Sequence, residues 1–217
     1  MFPLPLPIYF EVGALLASVA LWSSLRLSVL RWFLPFLLFI VCVEFTGRYL
    51  GRELHQPNSW LFNLSIPIEY LFYTFIFWKN YTKLAFRFLA QWFLILFPVF
   101  FFFNLMANGL ATFHTNVLLI GNFFMIVFSV LWFLAFYENM DKEILWKEPM
   151  FWIAAGVFLF NMGEFTYNLF SGFLIGHRLD HAATLFKAIN NNLILLLYSF
   201  LIIGFLCQRT SGKYGTA

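Results

Sequence analysis

The amino-acid sequence predicts an all-α fold, a polytopic integral membrane bundle of seven transmembrane helices. The prediction depends on three observations: 62% of the 217 residues are hydrophobic, only 11% are charged, and long apolar runs recur along the chain. A soluble globular domain carries about 25% charged and 45–50% apolar residues. The composition therefore excludes a water-soluble domain, a disordered chain and a protein that binds nucleic acid.

A transmembrane helix needs about 20 predominantly apolar residues, and seven runs reach this length. The predicted spans are 8–27, 32–51, 59–79, 84–106, 116–137, 150–172 and 183–207. The segments between them are too short for a soluble domain, so residues 1–217 are expected to form a single transmembrane domain. A membrane β-barrel would show short alternating segments, and these continuous runs exclude it.

The lysines and arginines predict the orientation, because cytoplasmic loops are enriched in both. With seven spans, nine of them fall on the side of the C-terminus and three on the other side, while Lys187 lies inside the seventh span. The nine are Arg26, Arg31, Lys79, Lys83, Arg87, Lys142, Lys147, Arg209 and Lys213, and the three are Arg48, Arg52 and Arg178. We therefore expect the N-terminus outside and the C-terminus in the cytoplasm.

Ionisable side chains inside the predicted spans are concentrated in the outer half. Each costs several kcal/mol unless it faces the bundle interior, water or a partner. The glutamates are Glu11, Glu44, Glu69 and Glu164, and the cations are Arg48 and Lys187. Two carboxylates therefore remain to be protonated, hydrated or compensated by a bound cation or cationic ligand. Arg48 follows Glu44 by four residues, which predicts an ion pair within one helix.

A polar pocket open to the outer side is the predicted ligand-binding site. Its expected lining is Glu44, Asn63, Glu69, Asn161, Glu164, Asn168, Lys187, Asn191 and Tyr198. Helical spacing puts the polar residues of span six on one face and those of span seven on another. Because the loop between these spans is short, we expect Glu164 to pair with Lys187.

Three other residues refine this hypothesis. Pro67 cannot donate to the carbonyl of Asn63, which favours a kink and a free carbonyl in the third span. Glu11 is near the outer end of the first span, and we expect it to snorkel to the membrane surface. In the inner half, Gln91 is the clearest polar residue, so a route for transport is poorly marked.

Two known chemistries are alternatives to a ligand-binding pocket. His177 and His181 are four residues apart and could share a zinc ion, with His55 or His114 completing a three-histidine hydrolase site. Lys187 in the last of seven helices is similar in place to the retinal lysine of microbial rhodopsins. That pattern requires an acid where Ala183 stands, so a retinal cofactor is not expected.

Five segments of the chain resemble one family. Residues 43–50, 59–63, 69–73, 149–153 and 191–198 are similar to an uncharacterised family of small seven-transmembrane-helix proteins of Bacteroidetes-type bacteria. The resemblance extends over nearly the whole chain and implies the seven-span architecture. It points to Glu44, Asn63, Glu69 and Asn191, and it implies no chemistry and no cofactor.

The resulting hypothesis is a non-enzymatic protein in the lipid bilayer that binds a small ligand or cation and acts as a receptor or sensor. Because no signalling domain is predicted, the signal would pass to a separate membrane or cytoplasmic partner, or through a homo-oligomer. Three alternatives stay open: a transporter subunit, a metal-dependent membrane hydrolase, and a structural subunit of a membrane complex.

Overall fold

A computed structural model describes residues 4–138, 145–177, 180 and 184–211. The fold is all-helical, with 88% helix, and the described residues contain no strand. Seven helices of at least 15 residues occur in these ranges: α1 (Leu6–Ala20), α2 (Phe33–Arg48), α3 (Ser59–Asn80), α4 (Leu84–Asn108), α5 (Thr115–Glu138), α6 (Pro149–Gly176) and α7 (Thr184–Ser211).

Several of these helices are long and apolar enough to cross a membrane. In the described ranges there are five such segments: Val29–Glu53, which contains α2, then α3, α4 and α5, and Thr184–Thr210 of α7. Helix α1 is apolar but has only 15 residues, while the 28-residue α6 carries several polar residues within its length. The chain is therefore a multi-pass helical membrane bundle, as the composition predicted.

The first two predicted spans differ from the helices. Helix α1 stops at Ala20 because Leu21 leaves the helical conformation, and a single turn, Trp22–Leu25, follows. At about 1.5 Å per residue, α1 alone is shorter than the hydrocarbon core of a bilayer. Helix α2 continues beyond Arg48 as the wider π-helical turn Tyr49–Glu53. A search for apolar runs detects neither change, because both preserve the apolar composition.

The helices pack as a ring with one helix outside it. Helix α1 packs against α2 and α7, α2 packs against α3, α3 against α5, α5 against α6, and α6 against α7. Helix α4 packs against α3 and α5 from outside the ring. Its buried side chains are only Ala90, Phe93 and Phe97, so most of α4 is left to face lipid. The ring encloses an interior that residues from six helices can reach.

Aromatic side chains hold α2, α3 and α7 together. Phe33 is fully buried and makes edge contacts with Phe72 of α3 and Phe205 of α7, at 5.0 and 5.4 Å between ring centroids. Phe36 stacks on Phe72 at 3.8 Å. Such pairs add about 0.5–1.5 kcal/mol each beyond the area they bury.

Helices α3 and α5 approach closely at Gly121. The Tyr70 ring of α3 fills the space that a β-carbon on Gly121 would occupy. Glycine is therefore required at position 121 to admit the ring. The Tyr70 hydroxyl in turn reaches Asn122, a buried residue of α5.

We expect Gly121→Ala to destabilise the protein, because the added methyl group overlaps the Tyr70 ring. Overpacking of this kind costs about 1–3 kcal/mol. Gly172→Ala is the matched control, since no atom lies within 4 Å of a β-carbon placed there. The measurement is thermal unfolding in detergent, and equal melting temperatures for the two variants would contradict this packing.

Candidate functional site

Three glutamates from three neighbouring helices interact electrostatically across the bundle, without converging on one point. Glu11 of α1, Glu44 of α2 and Glu69 of α3 lie within electrostatic reach of one another. We call these three residues the carboxylate cluster. Arg48 lies beside it, with its Nε 3.7 Å from Glu44 Oε2, which confirms the predicted ion pair. Among the described residues, the cluster therefore holds three carboxyl groups, of which Glu44 pairs with the guanidinium of Arg48 and Glu11 also interacts with it.

Glu11 is the member that the sequence analysis misplaced. The expectation that it snorkels to the surface is wrong, because its side chain is only 3% exposed and its Oε2 atom has no hydrogen-bond partner. Ala14 and Ser18, one and two turns along the same face, are completely buried. These small residues were the available signal that this face of α1 packs inward against other helices.

Two tyrosines complete the surroundings of the cluster. Tyr198 of α7 is 6% exposed and lies within electrostatic reach of all three cluster glutamates. Tyr73 of α3 is equally buried and interacts with Glu69 and Tyr198. The structure therefore brings together three residues of the predicted lining, Glu44, Glu69 and Tyr198, and adds Glu11 and Tyr73 to them.

A second polar group lies between α3, α5 and α6. The Tyr70 hydroxyl donates a hydrogen bond to Asn122 Oδ1 at 2.6 Å, and Tyr70 lies within electrostatic reach of both Glu69 and Glu164. Glu164 is 6% exposed, and its Oε2 accepts a hydrogen bond from Asn168 Nδ2 at 3.0 Å. Tyr70 therefore connects the carboxylate cluster with this second group.

Several buried polar atoms of the second group lack a partner. They are Glu164 Oε1, Asn122 Nδ2 and Asn161 Oδ1. The other end of the Asn161 amide donates to the carbonyl of Val157 in its own helix, at 2.7 Å. An unsatisfied buried donor or acceptor costs about 1–3 kcal/mol, so these atoms favour a bound water or ligand.

The predicted pair between Glu164 and Lys187 is wrong. Glu164 is buried in the bundle, whereas Lys187 is exposed, as is Asn191 one turn later. Ion pairs between described residues join Arg48 to Glu44 and Lys83 to Glu138. Of the polar stripe predicted on the last helix, only Tyr198 faces the interior, because α7 packs with α1 and α6 along its apolar side.

Asn63 ties the loop between α4 and α5 to α3. Its Nδ2 donates to the carbonyls of Leu110 and Thr112, at 3.0 and 2.7 Å, and its Oδ1 accepts from the His114 backbone N–H at 3.1 Å. Both ends of the amide are therefore engaged by the loop. A cavity of about 10 Å³ lies beside it against Pro67, which is close to the space that one water needs.

The histidines do not assemble the predicted zinc site in the described part of the chain. His114 Nε2 donates to the carbonyl of Gly109, and His177 Nδ1 to that of Phe173. His181 lies outside the described residues. Where the structure describes the chain, no three His, Cys, Asp or Glu side chains stand close enough to share one metal ion.

Comparisons of the chain with protein-family models, with curated proteins and with solved structures found no match. The resemblance to a seven-helix family therefore stays a prediction. The polar residues of the bundle interior are therefore the features of the chain that indicate a function.

Asp180 caps α7 from the loop before it, a role that the sequence analysis missed. Its carboxylate accepts hydrogen bonds from the Leu185 and Phe186 backbone N–H groups, at 2.9 and 3.1 Å, and from the Tyr167 hydroxyl at 2.8 Å. Burial disfavours the charged form, but these donors outweigh it and hold the pKa of Asp180 below its usual value. An acidic residue shortly before an apolar run was the available signal.

We expect Asn63→Ala to release the loop between α4 and α5, because three hydrogen bonds are lost together. Asn192→Ala is the control, since Asn192 makes a single bond to the carbonyl of Ala188 in its own helix. Hydrogen exchange at His114 should accelerate at least tenfold in the first variant only. Unchanged protection of this amide would show that the loop is held by other contacts.

Because Asp180 caps α7, we expect acid to destabilise the first turn of this helix. Because the folded pKa of Asp180 is depressed, its stabilisation is complete above the unfolded pKa of about 3.9 and is lost as pH falls through the folded pKa. The protection factors of the Leu185 and Phe186 amides, which correct for the pH dependence of intrinsic exchange, should therefore be high at neutral pH and fall below about pH 4. Asp180→Ala should exchange fast throughout, while the exposed-residue control Glu53→Ala should follow the wild type. A pH-independent wild-type profile would contradict this role.

Proposed function

We propose that all seven helices cross the bilayer of a bacterial inner membrane, with the N-terminus outside and the C-terminus in the cytoplasm. The turn Trp22–Leu25 extends α1 toward the opposite surface, and α6 has ample length at 28 residues. Both helices are members of the ring, each between two neighbours. The distribution of lysine and arginine favours this orientation. It places the carboxylate cluster in the outer half of the bilayer.

We further propose that the protein is not an enzyme and that its carboxylate cluster binds a small monovalent cation from the outer side. One observation carries this proposal: three carboxyl groups interact with one another beside a single guanidinium, that of Arg48, which pairs with Glu44, and Glu11 Oε2 is buried without a hydrogen-bond partner. Uncompensated charge in such surroundings costs several kcal/mol, so the cluster has to gain positive charge from a cation or from protons.

The geometry favours a monovalent cation over a transition metal. A structural or catalytic zinc site needs three or four protein ligands converging on one point. The described residues present no such group. A hard monovalent cation is bound by oxygen atoms and can keep part of its hydration shell, and the hydroxyls of Tyr73 and Tyr198 can contribute oxygen atoms beside the carboxylates.

The inner half of the bundle supports binding of a cation over its transport across the membrane. Buried hydroxyls there donate to backbone carbonyls: Thr74 and Ser129 within their own helices, and Tyr81 to Phe128 of α5. Gln91, the one polar residue expected on a transport route, is on the exposed face of α4. A cation in the cluster would instead alter how α1, α2 and α3 pack, which a separate signalling partner could detect.

Thermal unfolding at pH 8 and constant ionic strength tests the proposal, with choline replaced stepwise by Na⁺, K⁺ or Li⁺. We expect one of these ions to raise the melting temperature saturably, since a ligand at 100 times its Kd stabilises by about 2.7 kcal/mol. Glu11→Gln and Glu69→Gln should abolish this rise. In choline alone they should melt close to the wild type, because an amide resembles the protonated carboxyl group that it replaces.

Glu53→Gln is the matched control, since Glu53 is an exposed glutamate outside the cluster. It should respond to the cation as the wild type does. The proposal fails if no ion shifts the wild type, or if the cluster variants keep the full response.

A further inference from the structure

Three cations stand over one row of aromatic rings at the end of the bundle where α2 begins. Arg31 precedes α2, Lys79 is in the last turn of α3, and Arg87 is in the first turn of α4. We call this surface the basic corner and define it by these three residues and the rings beneath them, Trp32, Phe75 and Trp78. It lies at the opposite end of α2 from Glu44 and Arg48.

Two of the cations share a single indole ring. Lys79 Nζ lies 4.5 Å from the centroid of Trp78, and Arg87 Cζ lies 5.8 Å from the same centroid. The contact crosses from α3 to α4, so the tight turn between these helices brings the two charges together. Cation–π contacts hold both groups against the protein while their outer sides stay open.

The third cation joins through the same aromatic row. Arg31 Cζ lies 5.5 Å over Trp32, whose ring meets Phe75 edge-on at 6.2 Å. Phe75 also lies 5.8 Å beneath Lys79 Nζ. The rings therefore form a continuous platform from the start of α2 to the start of α4.

No carboxylate in the described chain neutralises this corner. The ion pairs between described residues join Arg48 to Glu44 and Lys83 to Glu138. Neither pair includes Arg31, Lys79 or Arg87. All three of these side chains are exposed. Lys79 and Arg87, which lie over one indole ring, repel each other, so a phosphate group is the natural counterion, accepting hydrogen bonds from their ammonium and guanidinium groups together.

The surface below the corner indicates that this phosphate belongs to a lipid. Leu84, Phe88 and Trp92, one turn apart on α4, are exposed apolar side chains on the helix that carries Arg87. Tryptophan is enriched at membrane interfaces, and basic groups between transmembrane helices bind anionic headgroups. We propose that the basic corner binds the phosphate of an anionic phospholipid, whose acyl chains lie along α4.

Native mass spectrometry of the full-length protein, titrated with phosphatidylglycerol or with phosphatidylcholine, tests this site. Each basic residue near a membrane surface contributes about 1 kcal/mol, or about fivefold in affinity. Lys79→Gln/Arg87→Gln should therefore raise the Kd of the first bound phosphatidylglycerol at least tenfold and leave phosphatidylcholine binding unchanged.

The matched control is Arg26→Gln/Arg209→Gln, which removes the same charge from exposed positions at the same end of the bundle. It should keep the Kd within twofold of the wild type. Equal losses in both double variants would reduce the effect to general surface charge and overturn the proposal, as would unaltered affinity in Lys79→Gln/Arg87→Gln.

Inorganic phosphate at millimolar concentration distinguishes the two sources of the anion. We expect it not to displace phosphatidylglycerol, because it lacks acyl chains. Full displacement would show that the corner binds free phosphate and would overturn the lipid site. All four substituted residues are exposed, so equal melting temperatures in phosphatidylcholine nanodiscs should accompany every variant.

Discussion

The architecture depends on one constraint: inside a bilayer, water is not present to solvate a polar group, so each group must find its partner within the protein. The backbone meets this demand by forming helices. Buried hydroxyls meet it by donating to backbone carbonyls, within one helix for Thr74 and Ser129 and across to α5 for Tyr81. The tyrosine on α3 that packs into Gly121 meets it across helices, through Asn122. What the helices cannot satisfy internally defines the site.

The ring arrangement explains why unsatisfied groups collect in one place. Six helices each turn one face inward, and α1, α2 and α3 all present a glutamate on that face. The backbone leaves the regular α-helix directly after Arg48, in the π-helical turn that follows α2. Helix α4, outside the ring, presents no carboxylate and instead offers apolar surface and one face of the basic corner to lipid.

Much of the fold was predictable from the sequence, because apolar length alone marks a membrane helix. The Glu44–Arg48 pair was predictable for a similar reason, since it lies within one helix and depends only on spacing. The site was less predictable, since burial depends on which neighbour covers a face. Glu11 and Lys187 show this in opposite directions: both stand near helix ends, yet the first is enclosed and the second is exposed. The role of Asn63 depends on a loop about 50 residues away, which helical periodicity does not report.

A cation that binds to the carboxylate cluster should displace protons from its carboxyl groups. Infrared difference spectroscopy in proteoliposomes measures the protonation state of these groups. At fixed pH, addition of the stabilising cation should reduce the band of protonated carboxyl groups and increase that of ionised carboxylate. Glu69→Gln should lose this difference, and Glu53→Gln should retain it. A spectrum in which cations leave the carboxyl bands of the wild type unchanged would contradict the account.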